Sequence, residues 1–230
     1  VLKNIGAGYA QDYITRFGFD AKKHPPYLSM ALGVGQATPL EVASAYGVFA
    51  NGGYLKKPYF IEKIIDSKGR KVKQSTALFN EENPRVIDPR NAFIMTDMLK
   101  EVINSGTAQK AKRLNRGDIA GKTGTTNDQY DAWFAGYNPD IVTITWIGYD
   151  QPKPLGKFET GSRAALPIWI DYMEPILNQY PIRFMVEPEG IMPVKIKKED
   201  GVVALPEENG IYEYFYEEFL PQSNAYYLIN

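Results

Sequence analysis

The sequence contains no cysteine and a single histidine, His24. Lack of a thiol excludes a cysteine nucleophile, cysteine-ligated zinc, iron–sulfur clusters and disulfides. It does not argue against an extracytoplasmic home. One imidazole excludes a two-histidine metal motif, while a Ser-His pair or a carboxylate metal site stays open. His24 sits in Lys22-Lys23-His24-Pro25-Pro26, a loop context that reads as a solvated residue rather than a catalytic base. Charge of one sign is also missing: 26 Lys plus Arg stand against 27 Asp plus Glu. No net positive field exists to concentrate phosphates, so a nucleic-acid partner is disfavoured. The longest apolar run, Ile141 to Gly148, falls well short of the ~20 residues of a membrane helix, and no charged start with an apolar signal core is present.

What remains is an ordinary folded chain of 230 residues, 44% hydrophobic and 23% charged, with 20 Gly and 16 Pro. That length suits one large domain or a domain with appendages. Tyr9, Tyr13, Ile14 and Phe17 recur at helical spacing until Gly18. Thr38-Pro39-Leu40-Glu41 reads as a capping box, a helix N-terminus with a hydroxyl cap, proline in the first turn and glutamate at N3. Leu40, Ala43, Tyr46 and Phe49 are expected on its buried face, and Asn51-Gly52-Gly53 ends it. Tyr59 to Asp66 and Lys71 to Thr76 read as a peripheral hairpin. Asp88-Pro89 starts a second capped helix whose stripe is Phe93, Met95, Met98, Leu99, Val102 and Ile103.

A basic loop, Thr107 to Asp118, precedes three short runs, Ile119 to Thr125, Asp131 to Tyr137 and Ile141 to Tyr149. Turn residues separate them, so three consecutive antiparallel strands are expected. Ser162 to Asn178 reads as a helix holding Leu166, Ile168, Trp169, Ile170, Tyr172 and Met173 inside. Beyond Pro181 the texture changes to proline-punctuated alternation, and the last thirty residues hold five acids and no base. Residues 1–180 are therefore expected to form one domain and residues 181–230 a C-terminal extension.

The sharpest chemical signal is Lys122-Thr123-Gly124-Thr125-Thr126, on a strand that runs into a polar turn. Lys122 brings a fixed positive charge, Thr123 and Thr125 bring hydroxyls at spacing two on one face, and Gly124 leaves room for a substrate backbone. A peptide laid antiparallel along this strand could place its terminal carboxylate among the hydroxyls. The Thr125 N–H could then meet a carbonyl oxygen that turns negative during acyl transfer. Three residues alone are equally compatible with an edge strand carrying a solvated lysine. Asp128 and Asp131 flank the following turn and read as turn formers, not an acid–base pair. Tyr130, Trp133 and Tyr137 could partly line a cleft beside the motif strand, with Trp133 and Phe134 on opposite faces. The Lys110-Ala111-Lys112-Arg113 cations read as a solvated loop, with an acidic glycan-peptide or lipid head group as the alternative contact.

The context sharpens the motif: strand, polar turn, then Asp131-Ala132-Trp133-Phe134-Ala135-Gly136-Tyr137, with the Thr38 helix upstream and Ala165-Leu166-Pro167-Ile168-Trp169 downstream. From Tyr9 to Glu189 this order resembles the class A penicillin-binding proteins of the 1A type, over the C-terminal part of their transpeptidase domain. The resemblance implies an α+β, three-layer fold in which helices cover a central antiparallel sheet. It implies a serine D,D-transpeptidase that cross-links peptidoglycan stem peptides ending in D-Ala-D-Ala, is acylated by β-lactams, and uses no cofactor and no metal. In that scheme Thr123 and Thr125 bind the terminal carboxylate, Lys122 stabilises charge and proton placement, and the Thr125 N–H serves the oxyanion hole. Gly124 and Tyr130 complete the substrate-binding set. The implied location is the periplasmic side of a bacterial inner membrane, tethered by a segment outside this chain.

The family's scheme has three motifs and this sequence carries one. Ser29, Ser44, Ser67, Ser75, Ser105, Ser162 and Ser223 all fail both S-x-x-K and S-x-N. The two missing motifs lie upstream of K-T-G in the family, and a chain opening at Val1 reads as a severed part that needs a companion polypeptide. The rival reading is a non-catalytic β-lactam or peptide sensor that lost its nucleophile. Nearer rivals are a D,D-carboxypeptidase or a β-lactamase, both disfavoured by the long tail.

Overall fold

A computed structural model of the chain describes residues 1–74 and 84–222. The local signals of the sequence set its helix ends. Helices α1 (Leu2–Ile5) and α2 (Ala7–Ile14) lead into a 3-10 turn that Gly18 closes in the left-handed conformation. Helix α3 (Pro39–Ala50) opens with the capping box: the Glu41 N–H donates to Thr38 Oγ1 at 3.2 Å, and the Thr38 N–H donates to the Glu41 carboxylate at 2.7 Å. The Thr38 N–H, the Thr38 hydroxyl and the Lys23 ammonium, all bonded to the Glu41 carboxylate, hold that carboxyl below its usual range. Helix α4 (Pro89–Asn104) starts at Asp88, whose carboxylate accepts from the Arg90 N–H. Strands β1 (Lys63–Ile65) and β2 (Lys71–Gln74) form the separate, exposed hairpin. It is shorter than the sequence suggests, because β1 begins at Lys63 rather than Tyr59. Ser75 and Thr76 of the returning strand lie outside the described residues.

Strands β3 (Ala120–Thr125), β4 (Ala132–Tyr137) and β5 (Val142–Ile147) form an antiparallel meander in that order. Alternation gives it two apolar faces. Phe134 meets helix α5 (Leu166–Leu177) on one face, its ring edge-on to Trp169 at 5.0 Å. On the other face Ala120 and Tyr137 pack with Ala50 and Leu99, and Tyr46 joins them. The molecule is thus α+β, with α3 and α4 on one side of the sheet and α5 on the other. Thr96 Oγ1 and the Tyr137 hydroxyl bond at 2.9 Å inside the second layer, where burial pushes the Tyr46 hydroxyl up to about 12.

Several faces differ from expectation. Leu40 is 43% exposed, and α3 buries Ala45, Val48 and Ala50 instead. Met98 on α4 is exposed beside a buried stripe of Ala92, Phe93, Thr96, Leu99 and Ile103. Ile168 and Tyr172 point outward from α5, while Leu166, Trp169, Ile170, Met173 and Leu177 are buried. These segments are apolar on more than one side, so periodicity cannot say which stripe meets the sheet. The expected helix from Ser162 begins as a π-turn, Gly161–Ala165, before the regular α5. His24 also departs from the solvated reading: its ring packs edge-on to Phe19 at 5.1 Å, and its Nε2 is buried without a partner among the described residues.

Residues 181–222 fold back onto the rest. Strands β6 (Ile191–Ile196) and β7 (Ile211–Tyr216) pair antiparallel, and Tyr214 of β7 sits edge-on to Phe93 of α4 at 4.9 Å. Arg90 reaches Glu218 at 2.8 Å and lies over the Tyr216 ring. A buried ion pair secures the entry to this segment. Arg116 binds Asp118 with two parallel bonds, 2.8 and 2.6 Å, and donates to the carbonyls of Leu177, Tyr180 and Pro181.

Candidate active site

The K-T-G-T stretch is the exposed half of an edge strand. β3 has β4 on one side, and among the described residues no strand pairs with its other side. Ala120 and Gly121 are buried, whereas Lys122 and Thr125 are exposed and Thr123 and Gly124 half-buried. The Thr126 N–H donates to the Asp131 carbonyl at 3.1 Å, which continues the β3–β4 ladder. Backbone polar groups alternate along a strand, so the N–H and C=O of Gly124 point toward β4. Those of Thr123 and Thr125 point to the open edge. Consistently, the Thr123 carbonyl accepts from Lys122 Nζ at 2.9 Å.

Thr123 and Thr125 share a face, and each hydroxyl is already engaged. Thr123 Oγ1 bonds Thr107 Oγ1 at 2.6 Å, and Thr125 Oγ1 accepts from the Gly161 N–H at 3.0 Å. A hydroxyl that accepts one bond still has its proton to donate, and the Thr123–Thr107 pair retains one spare proton. The arrangement therefore offers two oriented O–H donors, one ammonium and two outward N–H groups along a single edge. That is a surface for a carboxylate and for an oxygen gaining negative charge.

Gly161 has a second function that the sequence did not reveal. A Cβ there would stand 2.4 Å from the Trp133 carbonyl oxygen and 2.5 Å from that of Gly124. Only glycine lets the π-turn lie this close across β3 and β4. Thr107 and Gly161 were not among the expected site residues, because their contacts span 16 and 36 positions of chain. Tyr130 lies half-buried in the turn after β3. In that turn Asp128 and Gln129 adopt positive φ, 55° and 54°, a region L residues seldom occupy. Asp131 is structural: its carboxylate accepts from the Trp146 indole at 2.7 Å and its N–H donates to Thr126 Oγ1. Trp133 packs on Trp146 while Phe134 is core, on opposite faces as alternation requires. Tyr137 does not line a cleft as expected: it is buried among Ala50, Leu99 and Ala120. The basic stretch after Thr107 is a 3-10 helix, Gln109–Leu114, anchored by buried Ala111 and by Arg113 bonded to Asp171. Among the described residues no cluster of acids and histidine could hold a metal, and no helix is long and apolar enough to cross a membrane.

Comparison with known proteins identifies the family of the chain. Residues 1–173 match the family described as penicillin binding protein transpeptidase domain. The chain is 52% identical over 193 residues to penicillin-binding protein 1A of Neisseria lactamica, covering 84% of this chain and 24% of that protein. It is 40% identical to penicillin-binding protein 1A of Pseudomonas aeruginosa, covering 97% of this chain and 33% of the relative. The chain thus spans between a quarter and a third of the length of these relatives. The crystal structure of penicillin-binding protein 1A from Haemophilus influenzae superposes with a TM-score of 0.89 at 32% identity, over 96% of this chain and 38% of that one. This chain belongs to the penicillin-binding protein transpeptidase family, and its K-T-G strand lies in the part that it shares with the 1A-type members.

Proposed function

We propose that this chain supplies the substrate-cradling part of a serine D,D-transpeptidase that cross-links peptidoglycan stem peptides and is acylated by β-lactams. The observation that carries the reading is the open edge of β3. There Lys122, two hydroxyls and an outward Thr125 N–H stand beside a strip that an extended peptide can occupy. The D-Ala-D-Ala end lies antiparallel to β3, with its terminal carboxylate on Thr123 and Thr125 and Gly124 leaving space for its backbone. A serine outside residues 1–230 attacks the carbonyl between the two D-alanines. The developing oxyanion accepts from the Thr125 N–H, terminal D-alanine leaves as the amine, and a second stem peptide's amine resolves the acyl-enzyme. Lys122 holds the charge of the reacting groups, and Tyr130 borders the peptide. We place the assembly on the periplasmic side of a bacterial inner membrane, with its tether and its S-x-x-K and S-x-N motifs on the companion part.

Incubating the whole protein with a fluorescent penicillin tests this. A covalent band is expected at a serine outside these residues; no band anywhere favours the non-catalytic module. Lys122→Ala should slow acylation by about 10- to 100-fold, the worth of one charge-assisted bond. Being exposed, it should shift stability by no more than about 1 kcal/mol. Unchanged acylation kinetics would remove Lys122 from the site.

The same reading has a folding consequence. Leu28, Leu32 and Val34 are 57%, 88% and 44% exposed, and among the described residues no strand pairs with the outer edge of β5. Purified alone, residues 1–230 should bind a hydrophobic dye and aggregate, since apolar burial is worth about 25 cal/mol per Å2 against a net stability of only ~5–15 kcal/mol. A soluble monomer with a sharp melt would show that no companion is needed to complete the sheet.

A further inference from the structure

The loop that crosses the motif strand carries a group of side chains with no assigned use. Leu155 donates its N–H to the Gln129 carbonyl at 2.9 Å, and Gly161 donates to Thr125 Oγ1, so the segment between them is fixed to both ends of the β3–β4 turn. Within it Phe158 adopts φ 72° and leaves its ring 57% exposed. A bulky residue in that conformation, with its ring in water, is held there by its surroundings and not by its own preference. The Thr160 N–H donates to the Phe158 carbonyl at 2.9 Å, and the Arg163 N–H to the Thr160 carbonyl at 3.0 Å.

Two cations share the Phe158 ring. Lys157 Nζ lies 5.1 Å and the Arg163 guanidinium 5.5 Å from its centroid. Neither makes an ion pair among the described residues. Arg90 offers a contrast: it also lies over a ring, that of Tyr216, but Asp88 and Glu218 occupy its donors. At Arg163 the aromatic support is present and the carboxylate is missing. Lys153, over Tyr149 at 4.0 Å, repeats the pattern at the loop's other end.

We propose that Lys157, Phe158 and Arg163 form a subsite beside the K-T-G strand for a second carboxylate of the peptide, one carried on a side chain. The proposal rests on the transpeptidase reading and deepens it by naming the substrate class: donor peptides whose residue before D-Ala-D-Ala ends in a free carboxylate rather than its amide. Phe158 orients the guanidinium, whose planar fork takes a carboxylate through two parallel bonds. A carboxamide would turn its NH2 donors toward N–H donors and lose both charge and one bond, so discrimination arises from rejection as well as attraction.

The test uses the whole protein that carries this sequence and two synthetic peptides identical except for a carboxylate or carboxamide at that side chain. The readout is the ratio of their kcat/KM values. Because both peptides meet the same folded fraction, the ratio is insensitive to loss of folded protein. Wild type should prefer the carboxylate by about tenfold or more, the worth of a charge-assisted bond. The preference should vanish in the Lys157→Gln/Arg163→Gln double variant. Arg163→Lys should keep part of it, because charge remains and the fork does not. A wild type without preference, or a double variant with an unchanged ratio, overturns the subsite. Failure of wild type to be acylated by fluorescent penicillin overturns the transpeptidase reading instead, and acylation with an unmoved ratio overturns the subsite alone.

Discussion

Replacing Asp118 by alanine should destabilise the fold by about 3–5 kcal/mol, the cost of breaking a buried ion pair from one side. The Asp118 side chain is fully buried and that of Arg116 is 9% exposed, so the guanidinium left behind could not reach water without movement. Asp118 also accepts from the Arg183 N–H at 3.1 Å and from the Asn138 amide at 3.4 Å. Its loss would release the end of α5 and the start of residues 181–222 together. Burial by itself would push the Asp118 carboxyl up, but the Arg116 bonds and the Arg183 N–H outweigh it and hold the group below its usual value. The sign of the pH dependence follows. A depressed folded value means that the contribution is complete above the unfolded carboxyl's value, about 3.9, and is lost as pH falls through the folded one. Chemical denaturation of wild type and Asp118→Ala should therefore differ most near neutrality and converge in acid below about pH 4. Equal stability of the two proteins at pH 7 would refute the ascribed cost.

Gly161→Ala should cut β-lactam acylation by about 100-fold, the scale set by a catalytic group displaced by ~1 Å. The added methyl would meet two carbonyl oxygens, those of Trp133 and Gly124, at 2.4 and 2.5 Å. Both belong to the paired backbone of β3 and β4, which cannot rotate away as a side chain can. The π-turn must lift, taking its bond to Thr125 Oγ1 with it, at a further stability cost of about 1–3 kcal/mol for overpacking. Gly47→Ala is the control. A Cβ there meets nothing within 4 Å, and within α3 the change should stabilise by about 0.5–1 kcal/mol while leaving the site alone. Acylation rates and melting temperatures of the two variants separate the effects; normal acylation by Gly161→Ala would show that the turn does not position the strand.

Much of this architecture is legible in the sequence because it depends on residues three or four positions apart. The Thr38–Glu41 capping box, the Asp88-Pro89 start, the Gly18 stop and the opposed faces of Trp133 and Phe134 are short-range consequences of hydrogen-bonding reach and side-chain period. So is the exposed K-T-G-T run, where a polar end on an apolar strand must emerge from the core. The face that each helix buries was not legible. In α5, Ile168 and Tyr172 are as apolar as Trp169 and Ile170, and only the position of the sheet decides which pair is covered. Sequence alone likewise could not join Gly161 to Thr125, Thr107 to Thr123 or Arg116 to the carbonyls of Leu177, Tyr180 and Pro181. Those contacts close 36, 16 and 61 to 65 positions of chain, and no local preference specifies them. The sequence by itself determined the helix ends, the strand order and the chemical character of the motif. Tertiary packing determined which backbone edge stays open and which hydroxyls are already bonded there, because burial is settled by what lies opposite a residue rather than what lies next to it in the chain.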